Sequence, residues 1–247
     1  MVLPARLGSV PTEGLVRRLD DIGDAVFGDL EELRTAVVPA FGGERPPRSR
    51  DLGIEATVVA LLRRAGERLV GAGYVAAPGV LRDEAHWLEW WTATGPPARR
   101  RTRRLVVQSD PAADDFRDYT TLPWFRGPQR TGERQVTGPY VDYLCTDEYT
   151  LTFTAPVQVA GRFVGVVGAD VEVRWVEDRL TGELLAGGLP ATVVSSSGRV
   201  LTSTVGSLTT GDLVREVPDW WGGGEVPRGG RLVRCADLPL GVLVHPA

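Results

Sequence analysis

Two aspartates in an aromatic-rich stretch are the residues of this 247-residue chain whose chemistry points most directly to ligand binding. Asp142 and Asp170 could neutralise a bound cation, and four nearby aromatic residues could surround it: Tyr119, Trp124, Phe125 and Tyr140. Carboxylates and aromatic faces hold ammonium groups in proteins, and both interactions strengthen when the site is buried. The pattern therefore predicts a pocket for a small cationic ligand.

The predicted strands decide which of these side chains can face one ligand. Successive residues of a strand point to opposite faces, so Tyr140 and Asp142 share a face. Asp170 ends a strand before a helix, so it could equally cap that helix, a common use of aspartate. Asp142 could equally lie on the rim of a turn. The long predicted loop over Asp110–Pro139, before the strand of Tyr140, holds the other aromatic residues, Tyr119, Trp124 and Phe125.

Catalytic chemistry has little support in the sequence. The two histidines, His86 and His245, are accompanied by no GxSxG elbow, HExxH pair or Cys/His cluster. His86 lies beside three tryptophans on a predicted strand, where Trp87 and Trp91 share one face and Trp90 takes the other. We therefore expect no enzyme activity, no catalytic residues, no metal ligands and no cofactor.

Two motifs suggest other ligands but lie in the wrong context. Residues 71–76 match the pattern GxGxxG/A, which binds dinucleotides where a strand leads into a helix. Here a predicted helix precedes the motif and Pro78-Gly79 follows it, so we predict a turn between a helix and a strand. The five arginines within Arg99–Arg104 could contact phosphates, but a basic run between two apolar strands is typical of a solvated hairpin tip.

The composition excludes several classes of protein. Apolar residues make up 43% and charged residues 24% of the chain, as in ordinary soluble globular proteins. The formal net charge of −4 provides no general attraction for nucleic acid. Because no apolar run reaches membrane-spanning length and the start resembles no signal peptide, we expect a cytoplasmic protein without a membrane segment. Cys145 and Cys235 lack metal-ligand spacing, which predicts reduced thiols.

Hydrophobic periodicity predicts an α+β fold, with long N-terminal helices followed by an antiparallel sheet. Thr12–Val38 carries an apolar stripe at steps of three and four, formed by Leu15, Leu19, Ile22, Val26, Leu30 and Leu33. A second helix is predicted over Asp51–Val70. Strands are predicted at Tyr74–Val80, Ala85–Thr94, Arg103–Ser109, Tyr140–Cys145, Tyr149–Val159 and Phe163–Val171. A helix over Val173–Leu185 and two pairs of short strands follow.

Three motifs within this pattern resemble those of a known sensor family. They are Pro123-Trp124-Phe125, the segment Gly138–Asp142, and Thr154–Val157 followed by the turn and strand Gly161–Asp170. In these motifs the chain is similar to Cache domains, the PAS-like ligand-binding modules of bacterial chemoreceptors and histidine kinases. The resemblance implies a double Cache unit in reduced form. It divides the chain into a helical region (1–70), a PAS-like ligand-binding lobe (71–175) and a smaller second α/β lobe (176–247).

The resemblance also bears on the ligand. In Cache domains that bind amino acids, an arginine two residues before the aromatic pair takes the ligand carboxylate, and acidic residues take the ammonium. Leu122 stands at the arginine position here, while the aromatic and acidic positions are kept. This favours an amine over an amino acid, although Arg117 or Arg126 could replace the missing guanidinium. The resemblance further implies a homodimer formed through the N-terminal helix.

We therefore expect a sensor domain that recognises a small molecule, most simply an amine. Four aromatic residues and two aspartates form the predicted site: Tyr119, Trp124, Phe125, Tyr140, Asp142 and Asp170. Three alternatives stay open at this point: an amino-acid sensor using another arginine, a partner-binding regulatory module without a ligand, and an enzyme that acts on a small amine.

Overall fold

The computed structural model of the chain describes residues 10–96, 99–141, 149–188 and 190–246. These residues form two compact units. The larger unit is Asp24–Trp175, and the smaller unit combines the described residues up to Gly23 with those from Val176 onward. Each unit contains its own antiparallel sheet. Among the described residues, no helix is long and apolar enough to cross a membrane.

The larger unit is built on a six-stranded sheet. In chain order the helices and strands that reach into it are α1 (Val10–Val37), α2 (Glu55–Ala65), β1 (Gly71–Ala76), β2 (Leu88–Thr94), β3 (Arg101–Arg104), α3 (Pro123–Thr131), β4 (Gln135–Val141), β5 (Tyr149–Val159) and β6 (Arg162–Glu172). The sheet has the order β3-β2-β1-β6-β5-β4, and all neighbouring strands are antiparallel. The two long strands β5 and β6 are therefore neighbours, and β4 pairs with β5 to form one edge of the sheet.

The first helix owes its position to its apolar stripe. All six residues of the stripe are buried, at 9% exposure or less. The burial of such a stripe, rather than helix propensity, supplies most of the stability of a helix in a protein. Within the larger unit, the ring of Phe27 in α1 packs edge to face against Phe153 in β5, with centroids 5.4 Å apart. The stripe is buried within one chain, and a homodimer stays a prediction.

The smaller unit contains a four-stranded sheet of its own. It comprises most of helix α4 (Val173–Ala186), followed by β7 (Ala191–Ser195), β8 (Val200–Ser203), the short helix α5 (Val217–Trp221), β9 (Arg231–Arg234) and β10 (Leu240–Val244). The sheet order is β8-β7-β10-β9, again antiparallel throughout. Its strands and α5 share an apolar core that includes Val194, Val200, Val217 and Leu243.

The predicted α+β class with antiparallel sheets is confirmed, and the differences are local. The region expected to be one long loop over Asp110–Pro139 contains helix α3 and the first part of β4. The glycines of residues 71–76, expected in a turn, lie inside strand β1. The arginines expected at a hairpin tip include those of β3, an edge strand. Cys235 is buried and reduced, while Cys145 lies outside the described residues.

Candidate functional site

One face of the six-stranded sheet is polar and carries two of the predicted site residues. Directly opposed residues of antiparallel strands point to the same face. Asp170 of β6 is opposite Thr152 of β5 on one side and Gly71 of β1 on the other. Tyr140 of β4 is opposite Thr150, two residues before Thr152, so its side chain belongs to this face as well. We call this surface the polar face.

A chain of hydrogen bonds joins Tyr140 to Asp170 across three strands. The Thr152 hydroxyl donates to Asp170 Oδ1 at 2.7 Å, and Thr152 Oγ1 lies 2.6 Å from the Tyr140 hydroxyl. Because the single Thr152 proton is used on the carboxylate, the Tyr140 hydroxyl is the donor of the second bond. Asp170 is only 3% exposed. Its carboxylate is therefore held in one orientation at the centre of the polar face.

Asp170 lies within strand β6 rather than at the start of a helix. Strand β6 ends at Glu172 and helix α4 begins at Val173. The backbone carbonyl of Asp170 accepts the amide proton of Val70 at 2.9 Å. Because Asp170 lies inside the sheet, three residues before α4 begins, it does not act as the cap of that helix, which was the alternative role. Asp142, the other predicted acid, lies outside the described residues, one position beyond the end of β4.

The three remaining predicted residues form an aromatic cluster beside this face. The ring of Tyr119 stacks on Trp124 at 6.4 Å and meets the edge of Phe125 at 5.2 Å. Phe125 is completely buried and also packs against Phe163 at 5.6 Å. Trp124 is half-buried. Phe125 therefore forms the inner part of the cluster, while Trp124 keeps an accessible surface.

Tyr119 is fixed by its hydroxyl as well as by its ring. The hydroxyl donates to the carbonyl of Ala76 at 2.8 Å and accepts the amide proton of Trp87 at 3.1 Å. These bonds join the segment before α3 to the last residue of β1 and to the residue just before β2. Burial raises the pKa of Tyr119 to about 12, so the phenol is neutral and serves as a hydrogen-bonding group.

Helix α3 is held over the polar face by side chains of the sheet. The Thr154 hydroxyl of β5 donates to the Trp124 carbonyl at 2.8 Å. The side-chain amide of Gln135 in β4 donates to the Pro123 carbonyl and to Thr137 Oγ1, each at 3.1 Å. Because Thr154 belongs to the same face as Thr152, these bonds bring the aromatic cluster and the Tyr140–Asp170 chain to one side of the sheet.

A cavity of about 230 Å³ lies next to the aromatic cluster. Tyr119 and Trp124 form part of its wall, together with Leu122 and Arg117. The other walls come from the residues that lead into β2 and from the segment after β3, and they include His86, Leu88, Leu105 and Val107. Of the described site residues, Tyr140 and Asp170 do not line this cavity. The predicted residues thus form two groups on one side of the sheet, one at the cavity and one on the polar face.

Trp90 is a residue of the polar face that was not included in the predicted site. Trp90 belongs to β2 and lies opposite Gly73 of β1. Its six-membered ring packs on Gly73 and Gly168, where an added Cβ would come within 2.9–3.0 Å of ring carbons. Trp87 and Trp91 both contact the guanidinium of Arg104, which lies 5.1 and 5.8 Å from their ring centroids, whereas Trp90 packs on the glycines. The expected alternation of the three tryptophans is therefore confirmed. Glycines at alternate positions of β1 were the sequence signal for this arrangement.

The described residues contain no group of three His, Cys, Asp or Glu side chains that could hold a metal ion. The polar face and its aromatic cluster instead provide one buried carboxylate, hydroxyl groups and aromatic rings. This combination is suited to binding a small organic molecule by hydrogen bonds and ring contacts.

Comparisons with known proteins agree with this architecture. Residues 96–178, a third of the chain, match the family model described as methyl-accepting chemotaxis protein-like, first PDC sensor domain. The solved structure titled methyl-accepting chemotaxis protein X has a TM-score of 0.61 and 18% identity, over 98% of this chain and 100% of that chain. The sensory domain of the Campylobacter jejuni chemoreceptor Tlp3 has a TM-score of 0.57 and 11% identity, covering 94% and 88% of the two chains.

A third similar structure was determined with a ligand. The ligand-binding domain of the Pseudomonas aeruginosa amino-acid chemoreceptor PctC, in complex with GABA, has a TM-score of 0.54 and 18% identity, over 94% of this chain and 95% of that chain. These likenesses show that the chain has the fold of chemoreceptor sensor domains, and the family match over residues 96–178 agrees with that fold.

Proposed function

We propose that this chain is a double Cache sensor domain whose larger unit binds a small organic amine on the polar face of the six-stranded sheet. The double form is supported by the two units, each with its own antiparallel sheet. The amine is supported by the chemistry of the polar face and of the aromatic cluster beside it.

The buried carboxylate of Asp170 is the observation that carries the proposal. Its Oδ1 is oriented by Thr152, which is itself hydrogen-bonded to Tyr140. A hydrogen bond between an ammonium and a carboxylate is roughly twice as strong as one between neutral groups, and it gains further where water is excluded. At 3% exposure, Asp170 is in such an environment. An ammonium group is therefore the ligand group that this position would bind most strongly.

The aromatic residues supply the walls of the proposed site. Trp124 is half-buried above the sheet, and Tyr140 presents its ring from β4. An ammonium near an aromatic face gains up to about 2 kcal/mol when it is desolvated. In this proposal Trp124 and Tyr140 contact the ligand, whereas Tyr119 and Phe125 support Trp124 from behind. Asp142 is the second proposed carboxylate, on the basis of its motif.

The residue at position 122 favours an amine over an α-amino acid. Leu122 lines the cavity at the position where the amino-acid-binding pattern has an arginine, and its side chain offers a carboxylate no hydrogen bond. Burying a carboxylate without a charged or hydrogen-bonding partner is costly. The site therefore keeps the aspartates that bind an ammonium but lacks the arginine that binds a carboxylate. A ligand with an ammonium and no carboxylate fits best.

An amino acid is the second candidate ligand, and one observation favours it. Arg117 lines the same cavity as Leu122, Tyr119 and Trp124, so its guanidinium could take a ligand carboxylate there. Arg126, the other arginine considered for this role, is exposed on α3. Among similar structures, the domain of PctC was determined with GABA and that of Pseudomonas fluorescens CtaA with L-valine. Binding without turnover is part of both proposals.

A thermal-shift screen of small amines and amino acids tests the proposal. A ligand that binds only the folded state at a concentration of a hundred times its Kd stabilises it by about 2.7 kcal/mol. We expect small amines to raise the melting temperature and amino acids to have little effect. A rise with amino acids that is lost in Arg117→Ala would support the second candidate. No shift with either class would contradict the ligand-binding function and favour a regulatory module that binds a protein partner.

A further inference from the structure

Strand β3 forms an edge of the six-stranded sheet. Among the described residues it pairs with β2 alone, over Arg101–Arg104, and the register of this pairing is regular. Three of its four residues are exposed, and Thr102 is half-buried. Bulges and prolines are two devices by which proteins keep another strand from adding to a sheet edge, and β3 contains neither. Its backbone is therefore available to a partner strand.

Alternate residues of β3 turn their backbone groups away from the sheet. The amide of Leu105 donates to the carbonyl of Trp90 at 2.8 Å, which sets the phase of the hydrogen bonds between the two strands. In this phase Arg103 bonds to β2, and the residues on either side of it, Thr102 and Arg104, turn their N–H and C=O groups outward. An antiparallel strand added to this edge would hydrogen-bond to Thr102 and Arg104.

Two arginines give this edge a positive charge. Arg101 and Arg103 point to the same side of β3, and the residues opposite them on β2 are Thr94 and Thr92, which carry no charge. Neither arginine has an ion pair in the part of the chain that the structure describes. Arg104 points to the other side, where its guanidinium lies over two tryptophans. The charges of Arg101 and Arg103 thus remain available to an acidic partner.

We propose that β3 binds an extended segment of a partner protein that has acidic residues at alternate positions. The proposal goes beyond the amine-binding function and does not depend on it. The acids would stand opposite Arg101 and Arg103, in the pairs that share no backbone hydrogen bond and whose side chains lie closest. Opposite charges directly across two strands stabilise their pairing. The backbone of Thr102 and Arg104 supplies the affinity, and the arginines supply the selectivity.

The same charges disfavour a second copy of this chain as the occupant. A two-fold antiparallel pairing centred on any residue of Arg101–Arg104 places at least one arginine directly opposite an arginine of the other copy. Like charges in that position destabilise a strand pair. An apolar strand would also leave the arginines without a compensating charge. An acidic segment is the occupant that the edge fits.

Two peptides that differ only in which backbone amides are methylated test the proposal on the unmodified protein. The parent peptide is a fluorescently labelled octamer of alternating valine and glutamate. With its glutamates opposite Arg101 and Arg103, its valine amides point toward β3 and its glutamate amides point away. Methylation of the valine amides should weaken binding at least about tenfold, because backbone hydrogen bonds are lost. Methylation of the glutamate amides should have little effect. Fluorescence anisotropy measures both affinities.

Two variants of the protein separate the backbone from the charges. Thr102→Pro removes an outward N–H and keeps the bonds to β2, because proline is tolerated on an edge strand where its nitrogen faces solvent. It should weaken binding of the parent peptide at least about tenfold. Arg101→Gln/Arg103→Gln should weaken binding about fivefold and reduce its dependence on salt. Arg130→Gln/Arg215→Gln, at two exposed arginines outside β3, is the matched control and should bind as the original does.

Three results would overturn the proposal. If the two methylated peptides bind equally, the arginines attract acids without strand pairing. If a valine–lysine octamer binds as well as the parent peptide, the edge does not select acids. If the parent peptide does not bind at millimolar concentration and only a single-stranded oligonucleotide does, the arginines form a phosphate site instead. The comparison of peptides needs no variant, so it decides the matter even if Thr102→Pro does not fold.

Discussion

At the scale of single residues, the Thr152 hydroxyl connects the two proposed ligand-binding side chains of the polar face, Tyr140 and Asp170. It accepts from Tyr140 and donates to Asp170, so it orients both side chains that are proposed to meet the ligand. Tyr140 and Asp170 are recognisable in the sequence as an aromatic and an acidic residue. Thr152 is not, because its role arises only when β5 is placed between β4 and β6.

Replacing Thr152 with valine tests this role at nearly constant volume. Thr152→Val removes one hydrogen-bond partner from Tyr140 and one from Asp170 in a buried setting. We expect it to lower the free energy of unfolding by about 1–3 kcal/mol and to weaken amine binding. Urea unfolding followed by tryptophan fluorescence measures the first effect. Thr35→Val, on the exposed surface of α1 where the hydroxyl bonds the carbonyl of Glu31, is the control and should change stability far less. A Thr152→Val protein as stable as the original would contradict the account.

Position 122 is the second residue at which a single change should alter function. Leu122 lines the cavity between Tyr119 and Trp124, and its backbone is extended, with φ −76° and ψ 142°. Leu122→Arg adds a guanidinium that can bind a carboxylate through two parallel hydrogen bonds. We expect the affinity for L-valine and GABA to rise by about 1.5–3 kcal/mol.

Titration calorimetry with these two amino acids measures the change at position 122. Leu122→Met, which adds no charge, is the matched control and should leave amino-acid binding as it is. If Leu122→Arg and Leu122→Met bind both amino acids alike, position 122 does not govern the choice between amines and amino acids.

At the scale of elements, the strands were predictable where alternation is strong, and helix α3 was not. The predicted strand Tyr149–Val159 matches β5 in both bounds, because its apolar residues alternate over eleven positions. Helix α3 contains Gly127 and Pro128, which are typical of a loop. Pro128 cannot donate to the Trp124 carbonyl, and the Thr154 hydroxyl donates to it instead. The compensation comes from a strand distant in sequence, so no local pattern could indicate it.

The glycines of β1 were misinterpreted for a related reason. Alternate glycines after a helix suggest a turn, but here they leave room for the Trp90 ring on the neighbouring strand. A Cβ at Gly73 would lie 2.2 Å from the Glu89 carbonyl oxygen, a backbone atom that cannot move without disturbing the pairing of β1 with β2.

Gly73→Ala should therefore weaken the sheet. We expect a loss of about 1–3 kcal/mol in the free energy of unfolding, since overpacking at a rigid neighbour forces the strands apart. Chemical denaturation measures it, with Gly28→Ala as the control. At position 28 the added methyl meets open space within a helix, so stability should stay the same or rise by up to about 1 kcal/mol. Equal stability of Gly73→Ala and the original protein would show that β1 and β2 are less closely paired than described.

At the scale of the whole molecule, the fold is the part that the sequence indicated most clearly. The antiparallel α+β architecture follows from periodicity and is shared with chemoreceptor sensor domains at 11–19% identity. Such identities carry the fold but not the ligand. In the proposed site the choice of ligand depends on a few side chains of the polar face, among them Tyr140 and Asp170, which only the folded sheet brings together through Thr152.

The affinity of the Asp170→Asn variant for small amines tests the central claim most directly. Titration calorimetry with ethanolamine and propylamine should show binding to the original protein and to Asp114→Asn, a control at an exposed acid. Asp170→Asn keeps the shape of the side chain but removes the charge that compensates the ammonium, so binding of both amines should weaken by roughly 2–5 kcal/mol. Unchanged affinities in Asp170→Asn would contradict the assignment of the polar face as the amine site.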